Sequence, residues 1–320
     1  MDRRTWDVVV VGGGAAGLST ALVLAQANRQ VLVVDGGRPR NRFDDHMHGY
    51  ISRDGTDPAE LLAMGREEVA RFGGEIRSGT VTRAERREED GGWPRFTLTV
   101  DDGTVLEARR VVLATGLTDA LPAIDGIEPF WGKEVFHCPY CHGVQIRAGA
   151  VVGVVGCGAE SVAEAHLLLQ WADHVVLLTN DCVDPTPDDE AGLRARGIDL
   201  HAGPVRAVRV EDGRIAGVLV GDQTLPIDEL LVSPSTCPNR ELLDQLGVSV
   251  ADEPDECGVQ VPSDDGGLTD VRGVYVTGNL RDCNIQVVDA VGHGVRAAIA
   301  LSADLTAELV AEAIAGTKGL

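Results

Sequence analysis

The stretch Trp6-Asp7-Val8-Val9-Val10-Val11-Gly12-Gly13-Gly14-Ala15-Ala16-Gly17 decides the fold. A short β-branched run of this kind suits a strand buried on both faces of a parallel sheet. The glycines that follow satisfy GxGxxG, and a helical stretch runs from Ala15 to about Asn28. Gly12 permits the tight turn. Gly14 lets a pyrophosphate approach backbone N–H groups at the helix N-terminus, and Gly17 allows close helix–strand packing. A second strand at Val31–Val34 completes a βαβ unit. Asp35 ends it, 18 residues after Gly17, where a carboxylate accepts hydrogen bonds from a ribose diol. GxGxxG alone is weak, because any tight strand–helix turn uses such glycines. With strand, helix and acid all in place, dinucleotide binding is favoured.

Outward from this unit the chain repeats the pattern once. A strand at Val151–Val155 meets Gly156-Cys157-Gly158-Ala159-Glu160-Ser161, followed by a helix from about Ala159 to Trp171 and a strand at His174–Leu178. Two nucleotide-fold units in 320 residues predict an α/β protein of two Rossmann-like domains. Serine stands where the third glycine would pack. An NADPH site would follow its second strand with arginines for the 2′-phosphate. Here that strand ends in Thr179-Asn180-Asp181, with Asp184, Asp188, Asp189 and Glu190 beyond it. Acid is unfavourable where a phosphate should sit, so NADPH use is not expected. Two readings stay open, NADH binding or a domain that keeps the fold and has lost its nucleotide.

Between and after these units other elements are legible. Asp57-Pro58-Ala59-Glu60 starts a helix with an apolar stripe of Leu61, Leu62, Met64, Val69 and Phe72. Phe96–Val100 and Val105–Ala108 flank Asp101-Asp102-Gly103 as a hairpin. Arg110–Ala114 reads as a separate buried strand ending at Thr115-Gly116, and short strands with turns fill Val205–Val232. A last strand at Gly273–Thr277 precedes Gly278-Asn279 and a helix from about Gln286 to Ala315.

The formal net charge of −22 argues against nucleic acid or an anionic membrane surface as a partner. No apolar run reaches bilayer length, and Met1-Asp2-Arg3-Arg4 is not a signal peptide, so a cytoplasmic location is expected. Of seven cysteines, Cys157, Cys182, Cys237, Cys257 and Cys283 stand isolated and read as small buried or incidental residues. Cys138-Pro139-Tyr140-Cys141-His142-Gly143 is the exception. Two residues between cysteines let them close a small disulfide ring, a nearby helix N-terminus lowers one thiol pKa, and His142 can shuttle a proton. The competing reading, half of a zinc site, needs a second ligand pair elsewhere in the chain; His137 and His142 flank the same two cysteines, and the sequence offers no second CxxC. A redox pair without metal is the expectation.

With these pieces in order the chain resembles the low-molecular-weight thioredoxin reductases over nearly its full length. The matching landmarks are the first GxGxxG, Ala114-Thr115-Gly116, the CxxC before the second βαβ unit, Gly278-Asn279 and Gln286-Val287. The resemblance implies an FAD domain split into 1–117 and 245–320, an insert at 118–244 carrying the CxxC, and a homodimer. It implies FAD contacts at Gly12, Gly14, Ala15, Ala16, Gly17, Asp35, Gly36, Arg42, His48 and Val81. It extends them to Ala114, Thr115, Gly116, Gly278, Asn279, Gln286 and Val287. It assigns Cys141 to the flavin side and Cys138 to exchange with substrate. His142 stands where the reductases carry an aspartate, and Asn279 replaces an aspartate beside the flavin. With the missing arginines and Cys-Pro-Tyr-Cys in place of Cys-Ala-Thr-Cys, these departures make the chain similar to the dithiol oxidases of disulfide natural products, the gliotoxin, holomycin and romidepsin enzymes. That likeness implies oxidation of a small dithiol to its disulfide, with O₂ as acceptor and H₂O₂ as product. The alternatives are a thioredoxin reductase fed by NAD(P)H or ferredoxin, and a flavin-bound redox sensor. His293 on the last helix reads as a packing or surface residue.

Overall fold

A run of valines cannot leave either face wet, and the first strand does not. In the computed structural model, which describes residues 4–88, 92–253 and 258–317, Val8 and Val10 face one apolar cluster and Val9 and Val11 face another. The chain begins with β1 (Thr5–Val11), α1 (Ala15–Gln26), β2 (Val31–Asp35), α2 (Pro58–Arg71), β3 (Glu75–Ser78), β4 (Val81–Glu88), β5 (Pro94–Val100), β6 (Val105–Leu113) and β7 (Leu117–Ala120). The inserted stretch supplies β8 (Val135–Phe136), α3 (Pro139–His142), β9 (Val151–Val155), α4 (Glu160–Leu168), β10 (His174–Leu178), α5 (Pro187–Ala195) and β11 (Asp199–His201). It goes on with β12 (Val205–Glu211), β13 (Arg214–Val220), β14 (Gln223–Leu225) and β15 (Glu229–Leu231). The chain returns through β16 (Ser235–Pro238), α6 (Glu241–Leu246), β17 (Ala251–Glu253), β18 (Gly258–Gln260), β19 (Val274–Val276) and α7 (Val287–Thr317).

Two compact units result, one of Met1–Arg42, Pro58–Thr118 and Thr236–Leu320, the other of Phe43–Asp57 and Asp119–Ser235. The first holds a seven-stranded sheet in the order β3-β2-β1-β6-β5-β4, with β19 also paired to β6. The second holds a five-stranded parallel sheet, β11-β10-β9-β15-β8, and an antiparallel meander β12-β13-β14. The edges of these units differ from 117/118 and 244/245. The return falls at Thr236, and Phe43–Asp57 groups with the insert. The excursion packs there for a local reason. Gly132 lies so close to Phe43 and Asp44 that a β-carbon would stand 2.7 Å from both, and Lys133 faces Asp45 at 3.9 Å.

Several sequence expectations are corrected. Arg110–Ala114 is not a separate strand, because β6 runs unbroken from Val105, antiparallel to β5 and parallel to β1 and β19. Arg109-Arg110 interrupts the apolar pattern, yet Arg110 is fully buried against Asp304 and Glu308 of α7. α1 stops at Gln26, and Asn28 takes a left-handed turn at φ +57°. α4 ends at Leu168 rather than Trp171. On α2 only Pro58, Leu62 and Val69 are buried, while Phe72 is exposed. Cys157, Cys182 and Cys237 are exposed thiols, Cys283 is buried, and Cys257 lies outside the described residues. Among the described residues no helix is long and apolar enough to cross a membrane.

Candidate cofactor and redox sites

In the first unit the glycine turn sits at the carboxyl ends of β1, β2, β6 and β19. Gly12 has φ +108°, and a β-carbon there would meet the Ala114 carbonyl oxygen at 2.4 Å. Gly17 lies on the Gly12 carbonyl so closely that a β-carbon would stand 2.0 Å from its oxygen. Gly14 is different. A β-carbon there would meet no atom within 4 Å, so the mouth of the turn is open. Asp35 reaches the turn from β2, its carboxylate accepting from the N–H of Gly13 (3.3 Å) and Gly37 (2.9 Å) and from Arg66 (3.0 Å). Thr115 and Thr277, just beyond β6 and β19, each keep a buried hydroxyl with no hydrogen-bond partner. An open cradle, a ribose-height carboxylate and two orphaned hydroxyls fit a bound dinucleotide.

The other expected cofactor residues are placed less uniformly. Ala15, Ala16, Ala114 and Gly278 line this same turn, Gly278 close enough to Ala16 that a β-carbon would stand 2.9 Å from that methyl, while Gly116, at φ +62°, has open space around it. Gly36 follows Asp35, and Val81 is buried at the start of β4. The Asn279 amide holds the following loop through the carbonyls of Asp282 and Cys283, each at 3.3 Å. The Gln286 N–H donates to Asp289 (3.1 Å), which caps the start of α7 before Val287. Arg42 donates to the Pro39 carbonyl. His48 belongs to the second unit, where its ring faces Asp54 at 3.4 Å and Nε2 is buried without a partner.

In the second unit Cys138 and Cys141 are joined as a disulfide with Cα atoms 5.2 Å apart. Pro139 at the first position of α3 presets the turn, and the Cys141 N–H donates to Cys138 Sγ at 3.1 Å. A thiolate formed at Cys138 therefore has a backbone donor already in place. Both cysteines are partly exposed, whereas His142 is buried. Its ring stacks on Phe136 (5.5 Å) and meets His137 edge-on (6.4 Å), and His137 in turn stacks on Trp131. His142 Nε2 lies 3.1 Å from Asp44 Oδ1, and Nδ1 is buried with no partner. Asp44 was not legible as a site residue, since 98 positions separate it from His142. Tyr140, between the cysteines, is exposed and meets Trp171 edge-on at 5.1 Å.

The second glycine turn is built on the same unit, between β9 and α4. Cys157 N–H donates to Ser161 Oγ (3.1 Å), and the Cys157 thiol donates to the Glu160 carboxylate (3.3 Å). Burial pushes the Cys157 thiol up, opposed by a hydrogen bond to Ser233 and reinforced by Glu160. Burial likewise raises the Glu164 carboxyl, and the charge of Glu160 one helical turn away adds to it.

Two dinucleotide turns and a closed cysteine pair in one chain define a nucleotide-linked disulfide oxidoreductase. The chain belongs to the pyridine nucleotide-disulphide oxidoreductase family, whose pattern matches residues 6–298. It is 28% identical to thioredoxin reductase sirT of Leptosphaeria maculans over 91% of this chain and 92% of that protein. Among solved structures it is similar to HlmI, with 42% identity, a TM-score of 0.89, and coverage of 98% of this chain and 96% of that one. An oxidoreductase from Agrobacterium tumefaciens matches with 32% identity and a TM-score of 0.86 over 95% and 99%. The thioredoxin-reductase-like fold read from the sequence is the fold observed, and family and fold together imply FAD as cofactor.

Proposed function

We propose that this protein oxidises a small-molecule dithiol to its intramolecular disulfide through Cys138 and Cys141, with FAD as cofactor and O₂ as final acceptor. The observation that carries the reading is the closed Cys138–Cys141 disulfide beside buried His142 and its half-buried partner Asp44. An Nε2–H donated to Asp44 leaves the His142 Nδ1 lone pair as a proton acceptor. His142 takes the proton of an incoming substrate thiol at Nδ1, and Asp44 steadies the resulting imidazolium. The substrate thiolate attacks Cys138 Sγ, the Cys138–Cys141 bond breaks, and Cys141 leaves as a thiolate. The second substrate thiol then attacks the substrate sulfur of the mixed disulfide and releases Cys138, whose thiolate accepts the Cys141 N–H. Bound FAD supplies the two-electron acceptor that returns the pair to its disulfide, and O₂ takes those electrons as H₂O₂. The overall balance is dithiol plus O₂ to disulfide plus H₂O₂. Exposed Tyr140 against Trp171 offers a small apolar substrate a surface beside the pair.

Cys138→Ser is expected to lower dithiol-dependent O₂ uptake by a factor on the order of 10³ or more. Turnover at the wild-type rate would remove Cys138 from the reaction. Rapid anaerobic flavin bleaching by NADH or NADPH, in step with turnover, would instead establish a reductase.

A further inference from the structure

We propose that the second dinucleotide turn is occupied by its own side chains, and that Glu160 is the residue that shuts nicotinamide nucleotides out of this protein. The inference deepens the oxidase reading above, for it supplies the reason electrons would leave to O₂ rather than arrive from NAD(P)H. A dinucleotide turn holds its ligand by offering N–H groups and positive helix-end potential to a pyrophosphate. In this turn one N–H is taken and a carboxylate already stands over the second glycine. The Cys157 N–H is spent on Ser161 Oγ at 3.1 Å. The Glu160 carboxylate folds back over Gly158, where a β-carbon would meet its two oxygens at 2.4 and 2.5 Å, and it also accepts the Cys157 thiol. An anion from the chain thus lies where the anion of a nucleotide would lie. A pyrophosphate would have to displace it and then face its charge nearby.

The ribose side of the turn is filled in the same way. At the tip of β10 the Asn180 amide donates to the Gly156 carbonyl (3.2 Å) and accepts the Val205 N–H (2.9 Å). Thr179 Oγ1 accepts the Gly203 N–H at 3.3 Å. These are the positions from which a dinucleotide turn reaches a ribose diol, and both side chains are turned into the fold. Of the two blocks, Glu160 is the one that bears charge and stands exposed on the turn. Its removal reopens the pyrophosphate place without disturbing the strand tips.

The test is binding of ADP and of NADH to the flavin-loaded protein by calorimetry, in wild type, Glu160→Ala and Glu160→Gln. Wild type is expected to bind neither below millimolar concentration. Glu160→Ala is expected to bind both at least about tenfold more tightly, and Glu160→Gln, which loses the charge and keeps the bulk, to fall between. Flavin content and dithiol turnover should match wild type in both variants. Micromolar binding by wild type, or no tightening in either variant, would overturn the assignment of Glu160. Loss of the oxidase reading has a separate signature, wild-type protein that turns over no dithiol, and it leaves the binding comparison intact.

Discussion

The two glycine turns share a backbone plan and differ in what fills it. In the first, Gly17 must be glycine because the Gly12 carbonyl lies where its side chain would start, and Gly14 opens on empty space. In the second, Ser161 stands at the third position, buried, with its hydroxyl closing the turn onto Cys157, and the Glu160 carboxylate covers Gly158. Neither turn has unfolded or changed its strand–helix connection. The difference teaches that one backbone plan can leave its cradle open or fill it with its own side chains, with the strands and helices that build the cradle left in place.

The sharpest way to break this comparison is to place the same methyl group in both turns. At Gly12 the added carbon meets backbone, the Ala114 carbonyl, at a φ of +108° that L-residues rarely adopt. Gly12→Ala is therefore expected to cut bound flavin at least about tenfold, with overpacking that costs roughly 1–3 kcal/mol of stability. At Gly158 the nearest atoms the added carbon meets are the far end of the Glu160 side chain, which can swing away. Gly158→Ala should keep full flavin and full dithiol turnover. The ratio of flavin to protein absorbance in each purified variant reads the outcome. Equal flavin loss in both would mean that the second turn also carries the cofactor.

A smaller effect is expected where the second unit performs chemistry rather than binding. Asp44→Asn keeps the size of the side chain and removes the charge that faces His142 Nε2. Dithiol turnover should fall on the order of 10–100-fold through kcat, with KM and flavin content held, because positioned acid–base catalysis contributes about 10²–10⁴-fold. Asp44→Glu should restore part of the loss. A fall in KM-limited rate alone, with kcat unchanged, would make Asp44 a docking residue instead of a partner of His142.

What was legible in the sequence was local. The valine run, the glycines, Asp35 and the CxxC each declare themselves within a few residues, and the structure places them as one turn and one disulfide. What was hidden depends on partners far along the chain. Asp44 gains meaning only when residues 43–57 fold against the Trp131–Lys133 turn beside His142. Arg110 looked like the boundary between two strands because its partners, Asp304 and Glu308, lie 194 and 198 positions away. Glu160 was one acid among many around the second turn. Only its position over Gly158, and not its charge alone, singles it out.

The mildest expected effect on catalysis falls on the brace behind the first turn. α1, which the turn opens, packs on α7 so closely that a β-carbon at Gly294 would stand 2.3 Å from the Ala16 carbonyl oxygen, and Thr20 donates to the Gly294 carbonyl at 3.1 Å. Farther along α7, Glu308 is fully buried and holds Arg95 (2.6 Å), Arg109 (3.1 Å) and Arg110 (2.8 Å). Burial pushes the Glu308 carboxyl up, but the hydrogen bonds from Arg95 and Arg109 and the charge of Arg110 outweigh it and leave the carboxyl below its ordinary value. Glu308→Gln leaves the buried Arg110 with Asp304 as its remaining carboxylate and is expected to cost about 3 kcal/mol of stability, with flavin content and turnover intact at low temperature. Because the folded carboxyl ionises more readily than the unfolded one, its contribution is complete above the ordinary carboxylate range, near pH 5 and higher. It is lost as pH falls through the folded value. The gap in melting temperature between wild type and variant should therefore be full at pH 7 and narrow at about pH 3–4. A gap of the same size at both pH values would assign the loss to packing, and the first turn would owe its rigidity to the shape of α7 rather than to its charge.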